Sequence, residues 1–74
     1  MFVSWPGHSI NLTLVKRFDV VQEGQNHYIE FEGVDGTKDR AKVESRLHAT
    51  IAMKGIYNAL RDNQAQFYIH PTRR

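Results

Sequence analysis

Hydrophobic and polar positions alternate or recur along this chain in ways that assign most of its elements before any composition is considered. Phe2 to Trp5 reads as a short strand closed by Pro6-Gly7, a dipeptide that fixes one φ and relaxes the next. Ile10, Leu12 and Leu14 alternate with Ser9, Asn11 and Thr13, which is the period of a half-buried strand. The same letters fit a single helical turn from Leu12 to Lys16, with the Asn11 side chain accepting from the free N–H groups of that turn.

From Phe18 to Val43, three runs rich in β-branched and aromatic residues are separated by Glu23-Gly24-Gln25-Asn26 and by Val34-Asp35-Gly36, the pattern of a meander. Charge chooses its register. A two-residue loop at Asp35-Gly36 would set Phe31 against Arg40 and Ile29 against Lys42, mixing charge into the apolar side. A three-residue loop, with Gly36 in the left-handed conformation of a bulge, instead sets Glu32 opposite Lys38 and Glu30 opposite Arg40. The other side then pairs Ile29 with Ala41 and His27 with Val43. A tight Gly24-Gln25 turn places Phe18 beside Phe31 and Val20 beside Ile29.

Glu44 to Asp62 is the one long helix candidate, with Ser45 as its cap. Leu47, Ile51, Ile56 and Leu60 are expected on one broad buried side, widened by Ala49, Met53 and Tyr57, with Gly55 allowing close approach to a sheet. Gln64 to His70 follows as a last strand, alternating Ala65, Phe67 and Ile69 with polar or amphipathic residues and bounded by Pro71. The expected fold is a single α+β domain: a small antiparallel sheet, formed by a β-meander plus the C-terminal strand, packed on one long helix in the order β-β-β-β-α-β.

With 74 residues there is room for one domain only. No apolar run of about 18 residues exists to cross a membrane, and the first residues lack the basic, then apolar, pattern of a secretory leader. Without cysteine there is no disulfide framework, thiolate metal site or thiol nucleophile, and a reducing cytoplasmic setting is expected. The formal net charge of +2 resides in Arg73 and Arg74, because the other eight basic residues balance eight acidic ones. General affinity for nucleic acid is therefore not implied.

Chemistry is hard to place on this chain. His8, His27, His48 and His70 show no pair at strand or helix ligand spacing, so no metal or other cofactor is expected. Glu30 and Glu32 lie about 7 Å apart on one strand face, but the opposing Lys38 and Arg40 account for them as a charge ladder. Ser4, Ser9 and Ser45 have no nucleophile-elbow context, and the five glycines are isolated rather than grouped into a phosphate loop. No catalytic residue is assigned, and no enzyme is expected.

Two binding readings are left. Lys38, Arg40 and Lys42 on one strand, with Tyr28 and Arg17 beside them, form the best nucleic-acid surface, supplemented by Arg61, Arg73 and Arg74; Asp19, Glu30 and Glu32 share that face and repel phosphate. The favoured reading is a non-enzymatic protein-interaction module that associates with itself. The chain carries more large apolar side chains than one helix on a small sheet covers, and a domain this short buries only about 60% of its extended surface alone. The last strand, near a terminus and free of lysine, is expected at a sheet edge open to a second chain. A symmetric homodimer is expected to bury Phe67 or Tyr68 with Trp5 or Leu14 over about 1,200 Å² or more.

Overall fold

The computed structural model describes residues 1–70. The order of elements is β1 (Phe2–Trp5), β2 (His8–Asn11), a 3-10 turn (Leu12–Leu14), β3 (Val15–Glu23), β4 (Asn26–Gly33), β5 (Lys38–Val43), α1 (Arg46–Arg61) and β6 (Gln66–Tyr68). The fold is α+β with one helix. Its strands form two sheets rather than one, in the orders β2-β1-β6 and β3-β4-β5. Five strands precede the helix, one more than the expected order, and the last strand joins the N-terminal hairpin, not the meander.

The meander forms in the register that its charges require. Glu30 faces Arg40, Glu32 faces Lys38, Ile29 faces Ala41 and His27 faces Val43; Phe18 faces Phe31 and Val20 faces Ile29. Both turns depend on glycine. Gly24 has φ 61 and Gly36 has φ 89, and the Gly36 N–H donates to the Gly33 carbonyl at 3.0 Å while the Gly33 N–H donates to Thr37 at 2.8 Å. Those two bonds close the three-residue loop. Around Asn11 each local reading holds in part: the strand stops at Asn11, short of Leu12 and Leu14, and the turn, capped by the Asn11 side chain accepting from the Thr13 N–H at 3.0 Å, ends at Leu14 rather than Lys16.

The helix starts on Ser45, whose side chain accepts from the His48 N–H. It ends in a Schellman motif: the Asn63 N–H donates to Leu60 at 3.1 Å and the Gln64 N–H to Ala59 at 2.9 Å, with Asn63 at φ 55. The buried stripe corrects the expected one. Ala49, Ala52, Ile56 and Ala59 are buried, whereas Leu47 is 61% and Ile51 55% exposed, and Leu60 and Tyr57 also reach solvent. The reason is volume. Ile29, Phe31 and Ile69 already fill the space in front of the sheets, so the helix fits against them with alanines. Gly55 extends this fit: a Cβ there would sit 2.6 Å from Cε1 of the Phe67 ring.

Five rings run in series through the molecule. His8 stacks on Trp5 at 5.3 Å between centroids, Trp5 on Phe31 at 5.5 Å, Phe31 on Phe18 at 5.7 Å, and Phe18 meets Tyr57 at 5.4 Å. The series links the N-terminal hairpin, the meander and the helix, and each contact contributes about 0.5–1.5 kcal/mol beyond area burial. Among the described residues, no helix is long and apolar enough to cross a membrane.

Candidate protein interface

Side-chain alternation divides each sheet into an inner and an outer face, and the two outer faces have opposite chemistry. In the N-terminal sheet, Val3 and Trp5 point into the core. Phe2 and Ser4 therefore lie on the outer face, next to Asn11 and Ser9 of β2 and to Gln66 and Tyr68 of β6. Phe2 is 50% and Tyr68 45% exposed. The Ser4 and Ser9 hydroxyls are 3.2 Å apart, and the His70 ring meets Tyr68 edge-on at 4.8 Å. None of these six strand residues is Asp, Glu, Lys, Arg or His, although with 24% of the chain charged one or two charged residues would be expected.

Among the described residues, one border of this face is open. The Phe2 N–H donates to Ala65 at 2.9 Å and the Ile69 N–H to Ser4 at 2.7 Å, so the odd-numbered residues of the β6 segment bond to β1. The backbone groups of Gln66 and Tyr68 consequently point away from it. Because β6 is outermost in its sheet and carries no charge, it lacks the features that usually block strand addition. β5, an edge of the other sheet, has Lys38, Asp39, Arg40 and Lys42 within six residues.

The meander's outer face is a charge lattice, with Arg17, Lys38, Arg40 and Lys42 against Asp19, Glu23, Glu30 and Glu32, four of each. Arg40 Nε lies 2.8 Å from Glu30 and its Nη1 2.9 Å from Glu23; these two carboxylates raise the guanidinium pKa still further. Arg17 Nε lies 2.7 Å from Glu32, and that hydrogen bond, with the charges of Lys16, Arg17 and Lys38, holds the Glu32 carboxyl below its ordinary value. Tyr28 lies beneath the Arg40 guanidinium, 5.3 Å from centroid to Cζ. Of the four residues expected to bind nucleic acid, Arg40 is thus engaged with Tyr28 and with two acids, leaving Lys38 and Lys42 on a balanced surface. Arg73 and Arg74 lie outside the described residues.

Of the expected interface residues, Tyr68 is on the neutral face. Trp5 is not available: it is 6% exposed, held in the core by its stack on Phe31. Phe67 points inward, with its ring against the helix at Gly55. Leu14 is 59% exposed but sits on the 3-10 turn, away from this face. Phe2 was missed, although the alternation of Phe2 and Ser4 with Val3 and Trp5 already separates the two sides.

The histidines occupy four unrelated places, and among the described residues no three potential metal ligands converge. His48 belongs to a cluster that dispersed spacing concealed: its Nδ1 lies 2.8 Å from Ser45 Oγ and its Nε2 3.4 Å from Glu44. The Ser45 oxygen also accepts the His48 N–H at 3.2 Å. It is a helix cap, and the backbone donor nearest the hydroxyl is already bonded to it. No family model matches the chain, and no curated protein and no solved structure is significantly similar to it.

Proposed function

We propose that this protein is a non-enzymatic interaction module of the cytoplasm that pairs with a second copy of itself through the N-terminal sheet. The observation that carries the reading is the uncharged outer face of β2-β1-β6, with Phe2 and Tyr68 half exposed beside the open backbone of β6. Burying such a face desolvates no charge, and strand addition at Gln66 and Tyr68 satisfies backbone groups that otherwise rely on water. Two aromatic anchors among small polar residues match the usual composition of an interface centre. A basic-strand nucleic-acid reading has less support, because Glu23 and Glu30 engage Arg40.

Solution mass tests the proposal. The unaltered chain should run as a dimer that dissociates on dilution, scarcely affected by salt because no ion pair holds it. Tyr68→Lys and Phe2→Lys, both at exposed positions, should give folded monomers with unchanged circular dichroism. A mass of 8.6 kDa at all concentrations for the unaltered chain would remove the self-association reading.

A further inference from the structure

A second surface lies at the seam between the two sheets. A groove of about 310 Å³ opens there, with Ile10, Leu14, Val15, Phe31 and Val34 forming apolar walls and Asp35 and Asp39 providing the only charged groups among the described residues. The Val34 N–H donates to the Leu14 carbonyl at 2.9 Å, fixing the meander loop against the 3-10 turn. Leu14 and Val34 are 59% and 65% exposed, respectively.

Asp39 is out of place by the alternation that governs the rest of β5. It pairs with Phe31, so it lies on the inner, apolar side of the meander, whereas Lys38, Arg40 and Lys42 lie on the outer side. Among the described residues it is the one charge in that inner set of paired residues, and no basic side chain borders the groove. The Asp35 carboxylate is oriented by Thr37, whose N–H and hydroxyl donate to it at 3.1 and 2.7 Å, and those bonds keep it ionised by lowering its pKa. Among the described residues, the groove thus combines an apolar floor of side-chain size with two carboxylates and no cation.

From this combination we infer that the groove binds an arginine or lysine side chain from an extended segment of a different protein. The methylene stem lies on Leu14, Val15 and Val34, while the cationic head meets Asp39 and Asp35. Long basic side chains have this division between apolar stem and charged head. The volume is at the lower end for ligand pockets, which suits one side chain better than a cofactor. The site shares only Asn11 with the six strand residues of the self-association face and does not depend on Tyr68 or Phe2.

The test follows amide chemical shifts of the isotope-labelled full chain. The probes are a capped Leu-Arg-Val-Arg-Leu peptide, its Glu counterpart and N-acetylarginine amide. The Arg peptide should shift residues 10–15 and 33–39 saturably, the Glu peptide should not, and the single amino-acid amide should bind at least about tenfold more weakly. Asp39→Asn and Leu14→Ser should each weaken the Arg peptide by about tenfold, and Tyr68→Lys should leave its affinity unchanged. Shifts confined to other residues, or unaltered affinity in Asp39→Asn, would overturn the proposal. Equal binding of the small amide would make this a small-cation site and also overturn it. So would shifts of the groove that appear on concentrating the chain alone and vanish in Arg73→Gln/Arg74→Gln, since the occupant would then be a second copy. A dependence of peptide affinity on Tyr68 would merge the two surfaces and count against it.

Discussion

At Gly55 the missing side chain is what allows the Phe67 ring to lie on the helix backbone. Alanine there would gain about 1 kcal/mol of helix propensity but would have to displace a ring whose Cε1 stands 2.6 Å from the new Cβ. Overpacking of this kind costs about 1–3 kcal/mol. Gly55→Ala is therefore expected to lower stability in urea titrations, whereas in a Phe67→Leu background the same change should raise it. The sign reversal is the check. Glu32 makes a different prediction. Its carboxyl is held below the ordinary value, first by the hydrogen bond from Arg17, so its contribution is present above the unfolded-state pKa and is lost as pH falls through the lower folded one. Asp35 acts in the same direction through Thr37. Thermal midpoints should fall on acidification below about pH 5, and Glu32→Gln should make that fall shallower without changing its sign.

Among the elements, the helix is defined most sharply at its ends. Ser45→Ala should cost about 1 kcal/mol through loss of the cap, and Asn63→Ala a similar amount, about 1 kcal/mol, because only Asn, Asp or Gly tolerates φ 55 readily; circular dichroism melts measure both. These ends were legible in the sequence, Ser45 as a cap and Asp62-Asn63 as a stop. The meander register was legible for another reason: an alignment shifted by one residue places Arg40 or Lys42 among Ile29 and Phe31 and inverts both faces at once. The buried stripe of the helix was legible only in Ile56 and Ala49. Leu47 and Ile51 outrank Ala49 and Ala52 in hydrophobicity, and the choice between them depends on the bulk of Phe31 and Ile69 opposite, which no local pattern contains. Leu47→Lys and Ile51→Lys should consequently leave stability within about 0.5 kcal/mol, as surface changes do, whereas Ala52→Leu should overpack the core. The partner of β6 was equally hidden, since the alternation of Ala65, Phe67 and Ile69 identifies a strand but not its neighbour. The neutral face depends on that pairing and was legible only in Tyr68.

For the molecule as a whole, the series of rings from His8 to Tyr57 makes the two sheets and the helix one packed unit. Trp5→Leu should destabilise all three together rather than the hairpin alone, which hydrogen exchange of the β4 and α1 amides would register. The parallel pairing of Phe2–Ser4 with Gln66–Tyr68 also sets an order of assembly. The meander can form from neighbours in sequence, and the helix follows it directly, but the N-terminal sheet must close a loop spanning nearly the whole chain, the slowest kind of contact to make. During synthesis β1 and β2 emerge before the meander and the helix, and wait for β6, which follows them. Until it docks, the neutral face lacks Tyr68, and β1 takes the place of β6 as the exposed edge. A copy in which β6 has not docked therefore presents a different edge from the folded one, and the pairing proposed for Tyr68 requires β6 in place.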